Sequence, residues 1–148
     1  MQTEKVIDYI VNWLKDYATK AGVKGFVIGV SGGVDSGVVS TLCAMTGLKV
    51  LALEMPIRQQ KDQASRALEH IDFLKNKFPN VEGFTVDLNE PFEALYKTFD
   101  VKDDEFPAEK LAFANTRSRL RMLTLYYYGQ INGLLVCGTG NKVEDFGI

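Results

Sequence analysis

The sequence predicts a three-layer α/β/α fold around a parallel sheet, and three observations carry that expectation. Apolar runs of strand length alternate with segments of helical period along most of the chain. The turns joining them are short, and strand–helix–strand units joined this way form parallel sheets with right-handed crossovers. A glycine-rich turn, Gly29-Val30-Ser31-Gly32-Gly33-Val34-Asp35-Ser36, ends the first apolar run and opens the next helical segment. With 148 residues the chain is long enough for one domain with a real core, expected to span residues 1–148.

The elements follow in order. Glu4 to Lys20 carries Val6, Ile7, Ile10, Val11, Leu14, Tyr17 and Ala18 at three- and four-residue spacing, so a packing helix is expected, closed by Gly22. Phe26 to Val30 reads as strand one. A helix runs from the glycine-rich turn to about Thr46 and is closed by Gly47, and Leu48 to Leu53 reads as strand two. The turn Met55-Pro56-Ile57-Arg58-Gln59-Gln60 follows at the carboxyl edge of the sheet, where ligands bind in such folds, and Arg58 and Gln60 can reach a base or ribose from it. Asp62 is expected to cap helix three, whose apolar stripe runs from Ala64 to Phe78. His70, the only histidine, lies off that stripe and is expected to face solvent without a catalytic role.

Phe84 to Leu88 reads as strand three, and Pro91 opens a helix from Phe92 to Phe99 in its first turn. Asp100 to Glu109 is polar and aperiodic, a surface connection. Lys110 to Gln130 is the longest predicted helix. At 100° per residue its Arg117 and Arg121 share nearly one face while Arg119 points elsewhere. Tyr126, Tyr127 and Tyr128 cover most of its girth, so some must pack on the sheet and some face outward. Gly133 to Cys137 is strand four, leading into a second glycine-rich turn, Gly138-Thr139-Gly140-Asn141-Lys142-Val143-Glu144. A sheet of four strands is short for such a fold, which points to a longer parent protein.

Composition narrows the function classes. The net charge of −2 lacks the basic excess of a bulk nucleic-acid binder. No apolar stretch reaches 18 residues and the N-terminus has no signal-peptide pattern, so no membrane partner is expected and the cytoplasm is the default location. Cys43 and Cys137 stand in apolar runs, like small buried hydrophobes kept reduced.

A strand, a glycine-rich turn and a helix N-terminus together make an anion site suited to phosphate. It is not a Walker A loop, because no lysine occurs between Lys24 and Lys49, and the G-x-G-x-x-G dinucleotide pattern is absent. Short hydroxyls at Ser31 and Ser36 can donate to phosphate oxygens. A carboxylate among phosphates, Asp35, is tolerable only with a cation between them. Glu144, from the second turn at the same edge, is then a plausible second acid on one metal.

The string Ser-Gly-Gly-Val-Asp-Ser resembles the pyrophosphatase loop of the N-type ATP pyrophosphatases, which split ATP to AMP and pyrophosphate. Three further strings narrow the likeness: Leu-Glu-Met-Pro after strand two, Asn115-Thr-Arg-Ser-Arg119-Leu-Arg121-Met122, and Leu-Leu-Val-Cys-Gly-Thr-Gly-Asn-Lys-Val-Glu144. Together, over nearly the whole chain and in consistent order, they resemble the NAD+ synthetase family of the ammonia-dependent type. The resemblance implies a Rossmann-like, adenine nucleotide alpha hydrolase-like fold, here truncated at its C-terminus. It implies a ligase that adenylates deamido-NAD+ with ATP, releases pyrophosphate, and lets ammonia displace AMP to give NAD+.

Carried over by position, Ser31, Gly32, Gly33, Asp35, Ser36, Gln60 and Thr139 would bind ATP. Asn115 and Arg119 would hold deamido-NAD+, and Asp35 and Glu144 would act in catalysis as Mg2+ ligands. The family's homodimer, with substrate bound across the interface, makes the tyrosine-rich helix a candidate contact. Two departures stand out. The lysine-bearing loop that follows this glutamate in the family is missing, so little activity is expected of 148 residues alone. No amidotransferase part precedes the first helix, which favours free ammonia. The competing readings are another ATP pyrophosphatase, of the tRNA-thiolating or GMP synthetase kind, and a non-catalytic nucleotide-binding module.

Overall fold

The structure is a computed structural model, and it describes residues 2–58, 61–99, 101 and 106–141. Nine elements are described in the order α1 (Thr3–Lys20), β1 (Gly25–Gly29), α2 (Val34–Met45), β2 (Lys49–Glu54), α3 (Lys61–Lys77), β3 (Val81–Thr85), α4 (Asn89–Thr98), α5 (Pro107–Asn132) and β4 (Leu134–Val136). The strands lie in the order β3-β2-β1-β4, and every described pairing is parallel. The phosphate-type turn therefore leaves a central strand, where neighbours on both sides hold it.

Strand alternation builds the two outer layers. Phe26, Ile28 and Val30 of the β1 run face α1, α2 and α3, meeting Leu14, Ala18, Cys43, Ala67, Ile71 and Leu74. Val27 points the other way, with Leu51 and Leu53, onto Phe92 of α4 and Phe113, Leu120, Leu125 and Tyr128 of α5. This is the expected three-layer α/β/α arrangement. α5 lies close to the sheet because Gly129 has no side chain: a Cβ there would sit 2.9 Å from the Leu134 carbonyl and 3.3 Å from Val27. Among the described residues no helix is long and apolar enough to cross a membrane.

Several boundaries differ from expectation for local reasons. β1 and β2 each sit one residue away from their expected start, within the ordinary looseness of element ends. β3 covers Val81–Thr85 rather than residues 84–88. It is an edge strand, so alternation is weak, and Val86 and Leu88 beyond it plug the lower core instead. Their N–H groups still continue the pairing, Val86 donating to the Glu54 carbonyl at 2.8 Å and Leu88 to that of Pro56 at 3.1 Å. α3 begins at Lys61, so Asp62 lies inside its first turn rather than capping it. α4 begins at Asn89 and α5 at Pro107, each three residues before its expected start.

Two expected apolar stripes are only partly buried. Leu14 and Ala18 of α1 are buried while Val6 and Tyr17 are exposed, and Leu68 of α3 is exposed beside buried Ala67 and Ile71. The side chain of Ala64 lies outside the described set. His70 corrects its expectation. It is half-buried, its Nε2 lies 2.9 Å from the Ser40 hydroxyl, and its ring lies against Gly37 of α2. A Cβ at position 37 would meet that ring only at 3.8–3.9 Å, an ordinary contact, so the Ser40 hydroxyl rather than the glycine is what engages His70. Burial holds the imidazole below its usual pKa.

Candidate functional site

The turn after β1 is held in shape by its own hydroxyls. Gly32 adopts φ +80°, a conformation open to glycine without penalty, and lets the chain reverse into α2. The Gly33 N–H donates to Ser31 Oγ at 3.3 Å, and Ser31 Oγ and Ser36 Oγ are 3.1 Å apart. Ser36 Oγ donates to the Gly33 carbonyl at 3.0 Å and accepts the Ser31 N–H at 3.1 Å. If Ser31 donates to Ser36, each proton is used once and the Ser36 oxygen, 3% exposed, is saturated. Ser36 is thus the pin of the turn, while Ser31, Gly32 and Gly33 form its open lip.

α2 starts at Val34 with Gly33 as N-cap and no side chain capping it. Its first-turn amides and positive dipole end face the lip. Asp35 lies in that first turn. The second glycine-rich turn meets it there: Asn141 Nδ2 donates to Asp35 Oδ2 at 3.3 Å, across 106 residues of chain. The two turns therefore share one rim, as expected. Gln60 and Glu144 lie outside the described residues.

The lip opens into a cleft of about 820 Å³ lined by Ser31, Gly32 and Gly33, by Met55 and Arg58 after β2, by Arg66 of α3, by Arg117, Ser118 and Arg121 of α5, and by Cys137 to Thr139 after β4. Four arginines around one cleft next to a helix N-terminus favour a polyanion. They are not equivalent. Arg121 is anchored, its Nε donating to the Met55 carbonyl at 3.0 Å. Burial, and then the charge of Arg117, hold its guanidinium below its ordinary pKa. Arg58 is tied back on α4, bonded to both Glu93 oxygens at 2.6 and 2.9 Å and stacked 4.3 Å over the Tyr96 ring. The Glu93 partnership raises the Arg58 pKa and lowers that of Glu93. Arg58 also has φ +46°, the single non-glycine residue with positive φ among those described.

A second groove of about 640 Å³ lies behind the same turn, between α1 and α2, walled by Val6, Ile7, Ile10, Val38 and Met45. It is walled mostly by apolar side chains, with Thr41, His70, Arg66 and the glycine lip at its edge, whereas the cleft holds four arginines and is therefore the functional candidate. Among the described residues no three His, Cys, Asp or Glu side chains converge into a metal cage. The Asp35 carboxylate is, among the described residues, the acid placed on this rim, and it suits a hard ion that keeps most of its ligands as water and phosphate, which is the habit of Mg2+.

The predicted site residues divide accordingly. Ser31, Gly32, Gly33 and Thr139 line the cleft, Asp35 sits at its rim, and Ser36 braces the turn from beneath. Asn115 and Arg119 are exposed and do not line it. They lie with Tyr126 on one face of α5, within about 40° on the helical wheel. Arg66, Arg117 and Arg121 were not assigned to the site from sequence. The wheel that separates Arg119 from Arg117 and Arg121 was the available signal for two of them, whereas nothing local marks Arg66. Cys137, expected to be buried, is half-exposed on the cleft wall.

Comparison with known proteins bears on the fold and the family. The NAD synthase family model matches residues 6–146. The NH(3)-dependent NAD(+) synthetase of Mesoplasma florum is 38% identical over 145 residues, covering 97% of this chain and 57% of the relative. That of Finegoldia magna is 36% identical, covering 97% and 56%. Among solved structures, an NMN synthetase from Francisella tularensis superposes with a TM-score of 0.83 at 34% identity, covering 97% of this chain and 57% of that one. An NH3-dependent NAD synthetase from Campylobacter jejuni, in complex with the nitrate ion, gives 0.83 at 29% identity, covering 97% and 59%. The chain thus spans a little over half the length of these relatives. On the family match and on the shared fold, this chain belongs to the NAD synthase family.

Proposed function

We propose that the chain provides the ATP-binding and pyrophosphate-releasing part of a cytoplasmic, ammonia-dependent NAD+ synthetase, a ligase that converts deamido-NAD+, ATP and ammonia to NAD+, AMP and pyrophosphate. One observation carries this: an uncapped helix N-terminus and a glycine lip open onto an arginine-lined cleft, with the second glycine-rich turn bonded to Asp35.

The chemistry needs two steps because a carboxylate is a poor electrophile. The nicotinate carboxylate of deamido-NAD+ attacks the α-phosphorus, the bond from that phosphorus to the bridging oxygen breaks, and pyrophosphate departs. Ammonia then adds to the acyl carbon of the adenylate, loses a proton, and AMP leaves. The first-turn amides of α2 and its dipole receive charge as it develops on pyrophosphate, and Arg66 and Arg117 lie where they can share that load. Arg121 and the Met55 carbonyl fix the floor. Asp35 and Glu144 would hold Mg2+, which would offset charge on the departing pyrophosphate.

Deamido-NAD+ contacts are assigned to Asn115 and Arg119. Their separation from the cleft, and the exposed Met122, Leu123, Tyr126 and Tyr127 beside them, favour a homodimer in which α5 of one copy serves the substrate near its partner. The test is release of AMP and pyrophosphate from Mg-ATP by the chain joined to the C-terminal part that its relatives carry, with deamido-NAD+ and ammonium each omitted in turn, and with nicotinate mononucleotide offered in place of the dinucleotide. Release that needs all three substrates supports the ligase. ATP binding without turnover supports a nucleotide-binding module instead. Turnover only with the mononucleotide corrects the substrate.

A further inference from the structure

Two cysteines from distant parts of the chain meet beside the cleft. Cys43, on the last turns of α2, is fully buried, and Cys137, just beyond β4, is half-buried on the cleft wall. Their sulfurs are 3.6 Å apart, across 94 residues of sequence. Both backbones are fixed. The Cys137 N–H donates to the Val27 carbonyl at 2.9 Å, and the Cys43 carbonyl accepts the Thr46 hydroxyl at 2.6 Å. Ile28, Val30 and Leu135 pack in the same core around them. Closing this gap to a disulfide bond of about 2.05 Å requires the sulfurs to approach by roughly 1.5 Å.

We propose that Cys43 and Cys137 are a dithiol–disulfide pair, a modification site whose oxidation ties the strand bearing the second glycine-rich turn to the helix that begins at the first. This is independent of the substrates proposed above. The two thiols are unequal, as exchange chemistry requires. Cys43 donates its S–H to Cys137; this contact pushes the Cys137 thiol down and that of Cys43 up, and burial raises Cys43 further. The Cys137 thiolate, open to the cleft, attacks one sulfur of a small disulfide such as oxidised glutathione. The S–S bond breaks and one glutathione leaves as thiolate, taking up the proton Cys137 has lost. The Cys43 sulfur then attacks Cys137 in the mixed disulfide, the second glutathione leaves with the Cys43 proton, and the protein disulfide closes. Two protein thiols are oxidised by two electrons and one glutathione disulfide is reduced to two thiols.

The test treats the folded chain with oxidised glutathione and follows it by intact and peptide mass spectrometry. The expected product is about 2 Da lighter, carries no glutathione and yields a 43–137 cross-linked peptide. In Cys43→Ser a stable glutathione adduct should accumulate on Cys137. In Cys137→Ser, Cys43 should stay unmodified over the same period. A wild-type chain that stops at one or two glutathione adducts, that remains fully reduced, or that forms only intermolecular disulfides overturns the proposal. So does Cys43 reacting as fast without Cys137 as with it. The wild-type cross-link is decisive even if a serine variant does not fold.

Discussion

Replacing Ser36 with alanine tests whether the phosphate-type turn is shaped before its ligand arrives. The Ser36 hydroxyl holds three contacts, with the Ser31 N–H, the Ser31 hydroxyl and the Gly33 carbonyl, at 3.0–3.1 Å. Each is worth about 0.5–1.5 kcal/mol net. Ser31 is exposed, so water replaces part of what its two donors lose, and the total is roughly 2 kcal/mol rather than the upper sum. If the turn stays closed in the variant, the fold bears the loss and Tm falls by roughly 4–8 °C for a domain of this size. If the turn frays instead, the ligand must re-order it, and the same free energy weakens Mg-ATP binding by roughly 30-fold.

The exposed lip and the unaided helix cap favour fraying, so the larger effect is expected on binding. Calorimetric titration with Mg-ATP, thermal melting, and amide exchange at Ser31 and Gly33 separate the two outcomes. Exchange at those amides should quicken even without nucleotide. Unchanged exchange, with affinity within twofold of wild type and an unshifted Tm, would refute the pinning role of Ser36.

Four other perturbations are informative. Arg58 stands at φ +46°, where a side chain costs about 1 kcal/mol relative to glycine. Arg58→Gly should therefore melt roughly 2–4 °C above Arg58→Ala in parallel thermal scans, although both lose the Glu93 contact. Gly25→Ala should fail to fold or lose several kcal/mol in denaturant titration, because its Cβ would sit 1.9 Å from the Lys49 carbonyl. His70 is held below its usual pKa by burial, so the unfolded chain binds its proton more readily. Stability contributed by neutral His70 is fully present above the unfolded pKa and declines as pH falls through it toward the lower folded value. Urea titrations at pH 7.5 and 5.5 should reveal that loss, and His70→Gln should reduce it. Asp35→Ala should abolish AMP and pyrophosphate release by the competent enzyme while far-UV circular dichroism stays unchanged; preserved release removes the metal role assigned to Asp35.

Much of this was legible because local chemistry and tertiary position coincide. β1, its turn and α2 were readable since a short apolar run, glycines and hydroxyls, and a helical period succeed one another without overlap. The separation of Arg119 from Arg117 and Arg121 follows from helix geometry alone. Elsewhere position depends on what packs where. β3 was expected three residues late because Val86 and Leu88 are apolar, yet they fill the lower core after the strand has ended. His70 looks solvent-facing from its own helix; its partner, the Ser40 hydroxyl, stands on another helix thirty residues away. Arg66 reaches the cleft only because α3 crosses beside the glycine lip. The contact of Asn141 with Asp35, like that of Cys43 with Cys137, joins residues about a hundred apart and leaves no local trace.

The most direct measurement is a crystal structure of the chain grown with Mg2+ and an ATP analogue that cannot be split between its α- and β-phosphates. The β- and γ-phosphates should rest against the lip and on the first-turn amides of α2, with the metal about 2.0–2.1 Å from a carboxylate oxygen of Asp35 and the Gly138–Asn141 turn closed over it. Nucleotide seated in the apolar groove between α1 and α2, or phosphates bound away from residues 31–36, would contradict the joint grip of the two glycine-rich turns.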